Sequence, residues 1–267
     1  VGAQRRGLKT ALITNGLLLH AKKGLLEAAV NCQWVRISID AASPEVFGQV
    51  RPGLGGPRGE QLFVALKNLA ALRRLREKRG ADCTIGAGFV VQKENWHEML
   101  EAARLYRDAG ADNVRFSGLF TTEREAYFAG WREEAEALER TTSELVHEPP
   151  AFSVFARFHE KVDDLMARPV DPDCYYQQLT TYVGGDGNLY RCCVQAYNLR
   201  GLIGSVRTAG GLKALWDSIA KQDDFDRFDA RSCSFCQFTD RNKALLAAVS
   251  AEVLPPAPAG IIHPDFV

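Results

Sequence analysis

Trp34-Val35-Arg36-Ile37-Ser38-Ile39-Asp40 alternates apolar and polar residues. A period of two is the strand repeat; it sends Val35, Ile37 and Ile39 to one face and Arg36, Ser38 and Asp40 to the other. Just beyond, Ser43-Pro44-Glu45 reads as a helix start, with Ser43 as N-cap and proline at the first helical position. Working outward, Lys9–Thr14 is a short apolar strand ended by Asn15-Gly16. Leu17–Val30 carries Leu18, Leu25, Leu26 and Ala29 at near-helical spacing. Arg51–Gly59 is a Gly/Pro loop without a P-loop lysine. Gln61–Lys78 predicts an amphipathic helix with Leu62, Leu66, Leu69, Leu72 and Leu75 along one side. Thr84–Val91 and Asn113–Leu119 are further strands, Trp96–Ala109 a helix closed by Gly110, and Thr122–His147 a long charged helix. Strands separated by helices in this way build a parallel sheet or barrel with right-handed crossovers, whose ligands collect at the carboxyl ends of the strands.

In a barrel the outer face packs on helices, so Arg36, Ser38 and Asp40 should face the lumen. There Ser38 and Asp40 can bind a ligand's hydroxyl or ammonium groups, or form a satisfied polar cluster at the strand end. Gly86 and Gly88 weaken their strand, and glycine in that setting often marks the close approach of a ligand. Arg115 and Ser117 share a face on the next strand.

Five of the seven cysteines lie toward the carboxyl end: Cys174, Cys192, Cys193, Cys233 and Cys236. Cys233-Ser-Phe-Cys236 has the two-residue gap that lets a tight turn aim both sulfurs at one centre. Thr180–Val183 and Leu189–Cys193 read as a hairpin around Gly184-Gly185-Asp186-Gly187-Asn188, with Cys174 ahead of it. Leu212–Trp216 is a helix anchored by Trp216. Four thiolates suit zinc or an iron–sulfur cluster equally well, and a lone CxxC can also be a redox pair.

Lys+Arg and Asp+Glu are both 33, giving zero net charge and no electrostatic case for nucleic acid. No apolar run is long enough to span a bilayer and no signal-peptide pattern opens the chain, so the cysteines read as reduced and cytoplasmic.

Thr10-Ala-Leu-Ile-Thr-Asn-Gly16, Val35-Arg-Ile-Ser-Ile-Asp40 with Arg51-Pro-Gly53, and Gly86-Ala-Gly-Phe-Val-Val91 with Glu94-Asn95 resemble the third to fifth strands of the radical S-adenosylmethionine (SAM) enzymes. Independently, Cys174, then Gly187 and Cys192 with four residues between them, then Cys233-x-x-Cys236 resembles the SPASM/twitch auxiliary-cluster extension of that superfamily; without further cysteines after the CxxC it looks like the one-cluster twitch form. The resemblance implies a partial (β/α)6 TIM-like barrel over 1–150, a linker over 151–173, an α+β cysteine-rich twitch-like domain over 174–253 and a tail over 254–267. It implies SAM contacts at Asn15, Ser38 and Asp40, an adenine-side wall at Phe89 and Val91, and an auxiliary [4Fe–4S] cluster on Cys174, Cys192, Cys233 and Cys236. The implied activity is a 5′-deoxyadenosyl radical abstracting hydrogen from a peptide or small molecule, with electrons from a flavodoxin- or ferredoxin-like donor.

The family's CxxxCxxC loop, which holds the SAM-cleaving [4Fe–4S] cluster, is absent from the chain. One expectation is that the first two strand–helix units are missing from the sequence; another is a scaffold or partner-binding protein that kept the fold without the chemistry. A third is an unrelated α/β enzyme with a zinc knuckle.

Overall fold

The computed structural model describes residues 2–22, 24–53, 58–147 and 151–250, the side chains of 146 and 147 excepted. The tail expected over 254–267 and the centre of the 51–59 loop lie outside the described residues. The chain divides into two compact units, Val1–Val162 and Asp163–Ala259.

In the first unit five strands pair in chain order and all in parallel: β1 (Ala11–Thr14), β2 (Trp34–Ser38), β3 (Thr84–Val91), β4 (Asn113–Gly118) and β5 (Ser153–Arg157). Between them run α1 (Leu25–Val30), α2 (Pro44–Val50), α3 (Gln61–Arg79), α4 (Met99–Asp108), α5 (Glu125–Phe128) and α6 (Arg132–Ser143). Val35, Ile37, Ile39, Ile85, Ala87, Phe89, Val91, Val114 and Phe116 are all at most 1% exposed, so one sheet face is continuously apolar. Leu62, Leu69 and Leu72 of α3 and Met99, Ala102, Ala103 and Tyr106 of α4 are buried with it. At about 1.5–3 kcal/mol for each large side chain taken from water, this layer supplies the main drive for the unit. Ser43 caps α2 as its sequence suggests, accepting from the Val46 N–H at 3.3 Å.

The outline departs from the sequence reading in three places. The helix expected over Leu17–Val30 forms only after Gly24. Thr122–His147 breaks into α5, α6 and a 3-10 turn, because Gly130 takes φ +83° and ends the first piece. Strand β5 lies inside the stretch expected as a linker; five residues long and just after Pro149-Pro150, it carries too little pattern to be seen alone.

The second unit holds an antiparallel sheet in the order β6 (Tyr182–Val183), β7 (Asn188–Tyr190), β8 (Leu202–Ser205). Helices α7 (Phe158–Met166, its first turns in the first unit), α8 (Tyr176–Leu179), α9 (Leu212–Trp216), α10 (Ile219–Arg227) and α11 (Thr239–Ser250) complete the chain. The hairpin foreseen around Gly187 is β6–β7, where Gly187 has φ +79°; β8 was not foreseen. Leu215 is the buried anchor of α9, whereas Trp216 is half-buried. Among the described residues no helix is long and apolar enough to cross a membrane.

Candidate functional site

Three separate stretches of the second unit deliver cysteines to one cleft. Cys174 comes from the turn before α8, Cys192 from the end of the β7 return, and Cys233 and Cys236 from the knuckle before α11. The cleft encloses about 620 Å³, counting its open mouth, and its remaining wall is largely apolar, with Val170, Val194, Phe228, Phe235 and Phe238. Burial, then the charges of Cys192, Cys236 and Cys174, push the Cys233 thiol up to about 11. Burial is also the leading cause of the upward shifts at Cys174 and Cys236, each of which feels Cys192 as well. Cys193 is exposed, outside the cleft wall, and accepts from Gln237 Nε2 at 3.1 Å.

N–H donors nevertheless reach three of the sulfurs. The Phe238 N–H reaches Cys236 Sγ at 3.4 Å, Gln195 Nε2 reaches Cys233 Sγ at 3.7 Å, and the Gln177 backbone amide hydrogen-bonds to Cys174. Arg191, 5% exposed, lines the cleft with its guanidinium 3.4 Å from the Phe228 ring centroid, held by both oxygens of Asp224. Lys221, 3% exposed, places its ammonium 3.3 Å from Gln177 Oε1 and 5.2 Å from the Trp216 ring. Asn242 of α11 brackets the first cysteine: its Oδ1 accepts from the Tyr176 N–H at 3.2 Å and its Nδ2 donates to the Asp173 carbonyl at 2.8 Å.

Among the described residues no three His, Cys, Asp or Glu side chains stand close enough to hold one metal ion. The cleft gathers four thiols with N–H donors on three of the sulfurs, a donor set that suits zinc or an iron–sulfur cluster alike.

The first unit presents a polar sheet face. By parallel register Arg36, Gly86 and Asn113 form one row and Ser38, Gly88 and Arg115 the next, with Ser117 beyond. A Cβ at Gly88 would lie 3.2 Å from Arg36 Cδ, so the glycine makes room for that side chain rather than for a ligand directly. Ser38 is half-buried on this face. Asn15 is exposed at the end of β1, its Oδ1 accepting from the Leu17 N–H at 3.2 Å. The next residue must be glycine: Gly16 has φ +75°, and a Cβ there would meet Ile37 Cγ2 at 2.7 Å.

Asp40 is 5% exposed in the left-handed region at φ 65°. Its Oδ1 accepts from the Val90 N–H at 2.8 Å, its Oδ2 pairs with Arg51, and its carbonyl accepts from Asn95 Nδ2 at 2.8 Å. Burial pushes its carboxyl above the usual range against the pull of Arg51. Both carboxylate oxygens are thus engaged inside the protein, where Asp40 ties the ends of β2 and β3 to the Arg51 loop. Phe89 and Val91, expected as a cofactor wall, point their side chains to the helix-packed face; Phe89 meets Phe116 edge-on at 5.4 Å. Alternation leaves only their backbone, and the side chain of Val90, to the polar face.

No family model and no curated protein matches the chain. Solved structures do. Streptococcus suis SuiB bound to S-adenosylmethionine matches with a TM-score of 0.51 at 13% identity, over 86% of this chain and 52% of SuiB. A second SuiB structure gives 0.51 at 12%, over 89% and 56%. Histidine-tagged anSMEcpe with bound AdoMet gives 0.49 at 13%, over 81% and 56%. The chain shares SuiB's fold. It spans about half the length of the solved structures it matches.

Sequence spacing pointed to the four cysteines but not to Arg191, Lys221, Gln195 or Asn242. Isolated polar residues become buried partners only once the chain is folded. Asn242, six positions after Cys236, had a recognisable place but no recognisable role.

Proposed function

We propose that this chain is the SAM-binding sheet and auxiliary-cluster portion of a radical SAM-type enzyme. The observation that carries it is the convergence of Cys174, Cys192, Cys233 and Cys236 on one cleft, in a chain that shares the fold of SAM-bound SuiB.

Asn15 and Ser38, at the carboxyl ends of β1 and β2, offer hydrogen bonds to the ribose or methionyl end of SAM. Asp40 acts through Arg51, fixing the guanidinium at the strand ends. The backbone of Phe89–Val91 borders the adenine side, while the Phe89 side chain stiffens the sheet behind it. In the second unit the four cysteines would hold an auxiliary [4Fe–4S] cluster, with Gln195 and the amides of Gln177 and Phe238 donating to the sulfurs. Four protein thiolates would leave such a cluster no open position, so the chemistry it would supply is electron transfer rather than substrate coordination. SAM and a reduced cluster on a CxxxCxxC loop, outside these 267 residues, would supply a 5′-deoxyadenosyl radical for hydrogen abstraction from a peptide or small molecule. A flavodoxin- or ferredoxin-like protein is the proposed electron source.

Anaerobic reconstitution followed by SAM titration tests the reading. Brown protein with stoichiometric iron and sulfide, together with saturable SAM binding, supports it. Colourless protein with one zinc, or no SAM binding, contradicts it.

A further inference from the structure

The polar face of the first unit contains a feature that the SAM contacts above do not use. Arg36 on β2 and Arg115 on β4 lie on either side of β3, where Gly86 and Gly88 occupy the matching register positions. Arg36, 7% exposed, lies along Gly88, its Cδ 3.2 Å from where a Cβ would be. Gly88 is in register with Arg115. The fold therefore brings two guanidinium-bearing side chains together over a strip of bare backbone. Their proximity has an electrostatic signature: burial first, then Arg115, lower Arg36 to about 10.

An independent observation comes from the row below. Asn113, opposite Gly86 and on the same face as Arg115 and Ser117, is 0% exposed, and neither its Nδ2 nor its Oδ1 has a hydrogen-bond partner. Leaving both ends of a buried amide unmet is costly, and native proteins satisfy such groups with water or with a ligand. A planar anion is the species that two guanidinium forks and an amide N–H recognise together.

We propose that Arg36, Asn113 and Arg115 form a carboxylate-binding subsite on the floor of the sheet. The carboxylate belongs to a bound small molecule or peptide terminus, or to the methionyl end of SAM. The site stands on the first unit alone and does not depend on the cysteine cleft.

Calorimetric titration of the full chain with acetate, glycylglycine and inorganic phosphate, and with SAM and decarboxylated SAM, tests it. Saturable binding of carboxylates is expected, weakened about tenfold or more by Arg115→Gln. Asn113→Leu keeps the volume and removes the unmet amide; it should melt at or above the wild-type temperature while binding carboxylates more weakly. A merely structural asparagine would show the opposite change in melting. If Arg115→Gln weakens SAM but not its decarboxylated analogue, the carboxylate is the cofactor's. If it weakens glycylglycine and leaves SAM unchanged, the carboxylate is the substrate's. No saturable carboxylate binding by the wild type, or binding unaltered in both variants, overturns the proposal.

Discussion

Replacing Asn242 with alanine probes how the cysteine cleft is assembled. The side chain is 9% exposed and makes two hydrogen bonds, to the Tyr176 N–H and the Asp173 carbonyl, on either side of Cys174. Each such bond contributes about 1 kcal/mol net, so Asn242→Ala should cost about 2 kcal/mol. That is roughly a thirtyfold shift toward a state in which Cys174 is released. Asn242→Asp keeps an acceptor for Tyr176 but turns an oxygen toward the Asp173 carbonyl, and should lose at least half as much. Urea unfolding of the reduced, metal-free chain measures the stability term, and the iron content after anaerobic reconstitution measures the consequence for the centre. Alanine at 242 with an unchanged urea midpoint and wild-type iron content would refute this role.

Other expectations are shorter. Cys192→Ser should remove most of the reconstituted iron while Cys193→Ser leaves it intact, since only Cys192 lines the cleft; iron counts that match in the two variants would reverse the assignment. Phe89→Ala should cost about 3–5 kcal/mol, whereas Phe89→Leu should leave SAM affinity unchanged, measured by thermal unfolding and titration; a tenfold loss of SAM binding in the leucine variant would restore the side chain to the cofactor wall. Gly88→Ala should displace Arg36 and weaken carboxylate binding, checked by the calorimetry described for Arg115. The Asp40 carboxyl is raised in the folded state, so its contribution is fully present below the unfolded value of about 4 and is lost as pH rises through the folded value. Asp40→Asn should flatten that part of the stability–pH curve; an unchanged slope would mean that another group sets it.

Much of the sheet could be read from side-chain alternation. Val35, Ile37 and Ile39 against Arg36 and Ser38 gave both the strand and its polar face, and the structure puts the apolar set at 0% exposed. The same rule, applied to Thr84–Val91, sends Phe89 and Val91 to the helix side. The expectation of a cofactor wall there came from matching positions rather than from counting faces. Strand β5 was illegible because five residues next to a Pro-Pro pair carry too few periods. The glycines of β3 suggested the close approach of a ligand; at Gly88 the group that comes close is instead Arg36, whose direction no local pattern reveals. In the second unit the cysteine spacing singled out the four thiols that line the cleft, while the buried cations Arg191, in the cleft wall, and Lys221 depend on contacts with Asp224 and Gln177 that are distant in sequence.

The most direct measurement is the metal content of the anaerobically reconstituted chain, compared with Cys233→Ala. About four iron and four sulfide per chain, with a broad visible absorption that the variant loses, is the expected result. A single zinc in colourless protein, or iron unchanged in Cys233→Ala, would contradict a shared four-thiolate cluster.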